Sequence, residues 1–130
     1  MNDTEDRYKA RFVAKWFSQK ADIDFHEISS PVVKIVSIRI ILALVPLLAL
    51  ELQKLDVKTA FLHVDLDEEI YMEQPEGLVQ HRNEKFVSRL KKSLYGLKQS
   101  PRQWYKKFDS FMFSQKYVRS EYDHCVYFKQ

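Results

Sequence analysis

The chain has 130 residues, of which 45% are hydrophobic, 14% aromatic and 30% charged, with a net charge of +3. This is the size and composition of one globular domain, and the mild positive charge is compatible with nucleic acid without identifying it. The single Cys125 excludes an internal disulfide and a Cys/His zinc site, and it favours an intracellular setting. The N-terminus lacks the apolar segment of a secretory signal.

Residues 7–17 alternate cationic with apolar or aromatic side chains, which predicts a strand with one cationic face. The cations of that face are Arg7, Lys9, Arg11 and Lys15. Cations spaced along a strand can follow phosphates while neighbouring aromatic rings stack on bases. An ordinary amphipathic strand with solvated side chains explains the same alternation. Residues 21–30 turn polar and acidic, and we expect a loop there.

Residues 30–52 begin extended and then predict a helix, with Ser37 as its N-terminal cap. Pro46 would cost about 3 kcal/mol inside a helix, so we expect the helix to stop near Val45 or to kink there. Residues 40–50 form its most apolar part. Eleven residues are too few to span a membrane of about 30 Å, so we expect them to be a core element.

Residues 52–64 predict a mostly buried strand that turns into a polar loop or a short helix. Asp56 lies in its apolar part, where a carboxylate costs free energy unless it is paired. A metal ion for phosphate chemistry and a structural salt bridge both satisfy that requirement. The carboxylates that follow are Asp65, Asp67, Glu68 and Glu69. Their spacing is not that of a calcium loop, which favours a solvated loop face over a cation site.

Residues 69–74 and 85–94 predict two short strands joined by a turn. A helix follows, with Ser100 as cap, Pro101 at its first position and Gln103 completing a capping box. The aromatic and methionine residues at helical spacing from Trp104 to Met112 predict a core-facing stripe. Residues 124–130 predict a last strand.

A second group of cations surrounds the start of this helix, and its members are Arg89, Lys91, Lys92, Lys98, Arg102, Lys106 and Lys107. Two cationic zones on either side of a carboxylate would suit a template, a primer and a nucleoside triphosphate.

Five consecutive blocks of the sequence closely resemble copia-type retrotransposon reverse transcriptases in order and spacing. The blocks are "YKARFVAKWFSQ", "SPVVKIVSIRIILAL", "QKLDVKTAFLHVDLDEEIYMEQPEG", "RLKKSLYGLKQSPRQWYKKFD" and "SEYDHCVYF". The resemblance implies an α+β fold, part of the fingers and palm, with helices packed on an antiparallel palm sheet. It implies one incomplete domain over residues 1–130, with a fingers part at about 7–30 and a palm and fingers-proximal part at about 31–130.

The resemblance also implies the functional residues. Asp56 matches the first of three catalytic carboxylates that bind Mg²⁺, and the backbone of Val57 would lie beside the metal. Phe61 matches the aromatic residue beneath the incoming sugar, and Arg11 matches an arginine that contacts the triphosphate. The nucleotide and template pocket would include Tyr95, Gly96, Lys98, Ser100 and Pro101. The implied partners are an RNA or DNA primer–template and a deoxynucleoside triphosphate, with no membrane.

The 130 residues contain no Tyr-x-Asp-Asp sequence, which carries the other two carboxylates in this family, and no upstream strand with a further triphosphate-binding lysine. The family usually has glycine where this chain has Trp16, Val64 and Lys116, and an aromatic residue at Ser30. Together with Pro46, these departures are typical of a copy no longer selected for activity. We therefore expect no polymerase activity from the 130 residues alone. The alternatives are a non-catalytic nucleic-acid binding module and a decayed relic without a selected role.

Overall fold

A computed structural model describes residue 8, residues 10–75, residues 77 and 79, and residues 85–129. Its helices are α1 (Ile35–Leu47) and α2 (Ser100–Ser114). Its strands are β1 (Tyr71–Glu73), β2 (Val87–Arg89), β3 (Val118–Arg119) and β4 (Tyr127–Phe128), and short 3-10 turns lie at Trp16–Ser18 and Ala60–His63. This mixture of helices and small antiparallel sheets agrees with the predicted α+β class.

The strands form two separate antiparallel hairpins. β1 pairs with β2 in the register Tyr71 opposite Arg89 and Glu73 opposite Val87. β3 pairs with β4, and Val118 lies opposite Phe128. The predictions of strands within residues 69–74, 85–94 and 124–130 are confirmed. Most of the predicted turn at residues 75–84 lies outside the described residues.

A small core lies where the N-terminal segment, the β1–β2 hairpin and the loop before α2 meet. Its buried members are Ala14, Ile70 and Leu97, and the half-buried residues packed against them are Leu66, Met72, Leu90 and Leu94. These residues come from distant parts of the sequence, so the core joins the N-terminal segment to residues 66–97 rather than stabilising one local segment.

The strand predicted at residues 7–17 is wrong for the residues that the structure describes, and Arg7 and Lys9 lie outside them. Val13 forms only an isolated parallel bridge with Tyr95. The Ala14 N–H donates to the Tyr95 carbonyl at 2.7 Å, and the chain then turns at Trp16–Ser18. A strand needs a ladder of backbone partners, and this segment has a single one.

The first predicted helix is confirmed as α1. It ends at Leu47, two residues beyond the expected stop at Val45, and Pro46 lies in its last turn. The predicted cap is wrong, because Ser37 lies inside the helix. Asp123 accepts a hydrogen bond from the Lys34 N–H at 2.9 Å instead. Such a long-range cap leaves no local sequence pattern.

The prediction that residues 40–50 are a core element is also wrong. No residue of α1 is buried, and Leu47 is 75% exposed. Within the described part of the chain, no segment packs closely enough to cover this helix. None of the described helices combines the length and apolarity needed to cross a membrane.

The second predicted helix is confirmed as α2, with Pro101 near its start, but its capping box is wrong. Ser100 is already helical, and its hydroxyl donates to the Leu94 carbonyl at 2.8 Å. Gln103 donates to Asp67 rather than back to the helix start. The aromatic stripe is half-buried except for Phe111, which is 56% exposed. Its Phe108 ring packs edge-on against Tyr127 of β4.

Candidate functional site

Two residues that the family resemblance assigns to nucleotide contacts, Arg11 and Phe61, both contact the ring of a third, Tyr95. The Arg11 guanidinium carbon lies 5.8 Å from the centre of the Tyr95 ring. The Phe61 ring packs edge-on against the same ring, with centroids 5.3 Å apart. Cation–π and edge-to-face contacts both favour these distances. The cluster places one exposed cation beside two aromatic faces, which can bind a phosphate and a sugar or base together.

Gly96 holds this cluster against the N-terminal segment. Its φ of +91° lies in the left-handed region, and a Cβ at this position would sit 2.2 Å from the Ala14 carbonyl oxygen. Glycine is therefore required both by the backbone conformation and by the space. The close approach lets the Ala14 N–H reach the Tyr95 carbonyl at 2.7 Å, so Arg11 and Tyr95 are held on adjoining backbones.

Lys98 is engaged inside the protein rather than free in solvent. Its ammonium group donates to the Gln19 carbonyl at 3.2 Å and lies 4.7 Å from the centre of the Phe25 ring. Its backbone N–H donates to the Gln19 side-chain oxygen at 2.9 Å. Any contact between Lys98 and a phosphate therefore requires the side chain to leave these partners.

Gln19 and Gln99 form a polar link that the sequence did not predict. The Gln19 amide donates to the Gln99 side-chain oxygen at 3.1 Å, and the Gln99 amide donates to the Asp24 carbonyl at 3.0 Å. Gln99 is fully buried. Buried amides must be satisfied, so this network fixes the loop before α2. A glutamine carries no periodic or motif signal of its own, and no sequence pattern would have revealed it.

Asp56 and Val57 take part in none of these contacts and lie outside regular structure. Residues 51–57 are assigned to neither helix nor strand, and all of them are exposed. The predicted buried strand is wrong in this structure, because no described residue pairs with its backbone. The short helix expected after it is confirmed as the turn at Ala60–His63.

The described residues do not by themselves fit a pair of Mg²⁺ ions. Nowhere in the described ranges do three or more His, Cys, Asp or Glu side chains come together as a metal-binding group. Asp56 contributes one carboxylate, and two ions in nucleotidyl transfer require several oxygen ligands.

Three of the four acidic residues after Asp56 pair with members of the second cationic zone. The exposed ion pairs are Lys92 with Asp65, Lys106 with Asp67 and Arg89 with Glu69. Arg102, which is half-buried, pairs with Glu27. Lys92 holds the pKa of Asp65 below its usual value by hydrogen bonding and charge. Lys106 and Gln103 do the same for the pKa of Asp67 through hydrogen bonds. Three members of the expected solvated loop face, Asp65, Asp67 and Glu69, are thus exposed but paired, whereas Glu68 is half-buried.

Comparison with known proteins places the chain among polymerase sequences. The family model described as "Reverse transcriptase (RNA-dependent DNA polymerase)" matches residues 1–130. The retrovirus-related Pol polyprotein from transposon TNT 1-94 of Nicotiana tabacum is 64% identical over 124 residues, which cover 95% of this chain and 9% of that protein. No solved structure matches the chain.

More distant relatives show the same pattern. The retrovirus-related Pol polyprotein from transposon RE2 of Arabidopsis thaliana is 41% identical over 95% of the chain and 8% of its own length. The Transposon Ty1-BL Gag-Pol polyprotein of Saccharomyces cerevisiae is 37% identical over 83% of the chain and 6% of its own length. The chain thus spans less than a tenth of the length of each of these three relatives.

Proposed function

Because the chain belongs to the reverse transcriptase (RNA-dependent DNA polymerase) family, we propose that its 130 residues form part of the fingers and palm of an RNA-directed DNA polymerase from a copia-type retrotransposon. The substrates would be a deoxynucleoside triphosphate and an RNA or DNA primer–template. Residues 7–30 would belong to the fingers, and residues 31–130 to the palm and the adjoining fingers.

The observation that carries this proposal is the meeting of Arg11, Tyr95 and Phe61 around one ring. Residues 84 positions apart in the sequence converge there, and they are residues that the family resemblance assigns to the nucleotide. Arg11 would bind the triphosphate, since a guanidinium pairs well with phosphate oxygens. Phe61 would lie beneath the sugar, and Tyr95 would orient both side chains.

Asp56 would contribute the first catalytic carboxylate. The ligands present do not complete a metal pair, so we expect the 130 residues alone to show no magnesium-dependent primer extension. Nucleotide incorporation by these residues alone would overturn this expectation.

A binding experiment tests the part of the function that needs no chemistry. Fluorescence anisotropy of a labelled primer–template should show binding that weakens steeply with salt, because phosphate contacts release counterions. Arg11→Ala should weaken binding. The matched control is Arg39→Ala, which removes an exposed arginine from α1 and should have a much smaller effect. Absence of binding at low salt from a folded sample would leave the relic hypothesis.

A second experiment tests the role of Asp56 in a complete protein. The 130 residues would replace the corresponding segment of the Nicotiana tabacum Pol polyprotein, which is 64% identical to them. In this chimera Asp56→Asn should abolish primer extension and leave primer–template binding almost unchanged, because the substitution removes a metal ligand and no phosphate contact. An unchanged rate of extension would show that Asp56 is not catalytic.

Lys98 needs a different control, because its side chain packs on Phe25 and binds Gln19. Lys98→Ala should weaken binding, but part of that loss would come from structure. Lys98→Met keeps most of the packing, so a loss of affinity in this variant without a loss of stability would assign the effect to the charge.

A further inference from the structure

Residues 64–70 alternate between the interior and the surface. Val64 and Ile70 are 3% and 4% exposed, and their carbonyls accept hydrogen bonds from the Ser93 and Leu90 N–H groups at 2.8 and 2.9 Å. The segment is therefore fixed at both ends along residues 90–93. The exposed alternate residues between these ends are the acidic strip, defined as Asp65, Asp67 and Glu69.

Each carboxylate of the acidic strip is paired with a different cation. The pairs are Asp65 with Lys92, Asp67 with Lys106 and Glu69 with Arg89. The side chains of all three pairs are at least 48% exposed. Exposed ion pairs contribute little net free energy, so another anion can replace the carboxylates at small cost.

The acidic strip presents a row of closely spaced negative charges, as a phosphate backbone does. Alternate residues lie at most about 6.6 Å apart in an extended chain, and the bend at Asp67 and Glu68 keeps the spacing within the strip below this limit. The three negative charges face three cations contributed by β2, the loop after it and α2. A nucleic-acid strand also offers a row of negative charges to such cations.

Glu68, which lies within the same segment, has one oxygen without a hydrogen-bond donor in the described part of the chain. Its Oε2 atom is buried without a hydrogen-bond partner among the described residues. It borders a cleft of about 540 Å³ that is also lined by Asp67, Arg102 and Lys106. A buried acceptor without a donor costs free energy, and that cost would be recovered when displacement of the neighbouring carboxylates opens the Glu68 side chain to solvent.

We propose that Arg89, Lys92 and Lys106 form a phosphate-binding surface that the acidic strip occupies until the backbone of a nucleic acid displaces it. This inference rests on the proposed function, because it concerns how the same chain binds its primer–template. It makes the acidic strip an internal competitor. The free protein binds nucleic acid more weakly than its cations would allow.

Neutralising the strip should therefore strengthen binding. We expect about a 1.4- to fivefold gain in affinity for each carboxylate removed, the range that corresponds to the measured strength of exposed ion pairs. The combined variant Asp65→Asn, Asp67→Asn and Glu69→Gln should show the largest gain. The probe is a labelled RNA–DNA primer–template in anisotropy titrations at fixed salt.

A double-mutant cycle separates displacement from a general effect of net charge. Lys106→Gln should weaken binding more in the Asp67→Asn background than in the parent, because only there is Lys106 free for phosphate. Glu51→Gln removes the same charge from an exposed residue that pairs with none of the described residues, and it should give a smaller gain. The cycle of Asp65 and Lys92 repeats the test if Asp67→Asn fails to fold.

The two proposals fail in different ways. If neither the parent nor the combined variant binds primer–template at low salt, the proposed function is wrong and this inference is wrong with it. If the parent binds but Asp67→Asn gains no more than Glu51→Gln, or shows no coupling to Lys106, the acidic strip is not a competitor. In that case the proposed function stands.

Discussion

The loop at residues 93–100 and the segment at residues 48–57 both carry residues of the proposed site, and they differ in what holds them. The loop is fixed by buried groups, with Ser93, Gln99 and Ser100 almost fully inaccessible and with Gly96 against the Ala14 carbonyl. The segment that carries Asp56 is exposed along its length and follows an exposed apolar helix.

This difference separates the residues proposed to bind the nucleotide from the residue proposed for catalysis. The contacts proposed for the nucleotide are preformed by tertiary structure within these residues. The proposed catalytic carboxylate has no such support here. A helix that is apolar on all sides is typical of the interior of a larger protein, and α1 has this composition without a cover among the described residues.

The largest expected effect compares one leucine from each region. Leu97→Ala should lower the free energy of unfolding by about 2–5 kcal/mol, because Leu97 is 5% exposed and its removal leaves a cavity. Leu47→Ala should change it by less than about 0.5 kcal/mol, because Leu47 is 75% exposed. Urea unfolding followed by circular dichroism measures both. Equal losses would mean that α1 is packed in solution.

A second pair of variants tests the requirement for glycine in the loop. Gly96→Ala should destabilise the protein by about 2–3 kcal/mol, since it combines a left-handed backbone with a clash against Ala14. Gly77 has φ +83° and no atom within 4 Å of an added Cβ, so Gly77→Ala should cost only about 1 kcal/mol. The midpoint of urea unfolding distinguishes them. Similar midpoints would contradict the close approach of residues 14 and 96.

A third prediction concerns two positions where the family usually has glycine. Lys116 has φ +64°, and its N–H donates to Phe113 while the Tyr117 N–H donates to Met112, which is the Schellman pattern at a helix end. Lys116→Gly should therefore stabilise the protein by about 1 kcal/mol.

Val64→Gly should have the opposite sign. Val64 is 3% exposed, and its φ of −103° is open to any residue, so the substitution should cost about 2 kcal/mol through lost packing. Thermal unfolding of both variants checks the pair. A stabilising Val64→Gly would mean that the two glycine positions act alike.

The smallest expected effect is local and concerns the start of α1, the helix that leads into residues 48–57. Asp123 is buried, and hydrogen bonds from Ser37, from the Cys125 N–H and from the Lys34 N–H hold its pKa below the usual 3.8. Because the pKa of Asp123 is lower in the folded protein, its ionised carboxylate stabilises the folded state at pH values above the ordinary pKa. That contribution is lost as the pH falls through the lowered pKa.

Amide hydrogen exchange at Lys34 measures this loss. Protection of the Lys34 N–H should decrease as the pH falls below about 4, and in Asp123→Ala it should be low at every pH. Protection that persists in Asp123→Ala would show that Asp123 does not hold the start of α1.

The sequence by itself determined the family, both helices and three of the five strands that it predicted. It also proposed residues for the nucleotide, of which Arg11, Phe61 and Tyr95 lie together in the structure. Helical spacing and strand alternation are local, and Arg11, Phe61 and Tyr95 lie in blocks whose order alone identifies them. The sequence also revealed that Lys116 stands where glycine is usual, and the left-handed backbone at this residue explains that preference physically.

Only the tertiary structure decided what each element touches. Ser37 and Ser100 have the local pattern of helix caps. At the start of α1, however, Asp123 accepts the hydrogen bond from the Lys34 N–H. At the start of α2, the Ser100 hydroxyl is hydrogen-bonded to the Ser93 hydroxyl. From the sequence, the acidic residues were expected to face solvent and the cations to contact phosphate. The structure shows that members of the two groups pair with each other. Ion pairs, buried amides and helix packing join residues far apart in the chain, and the free energy of such contacts depends on which surfaces meet.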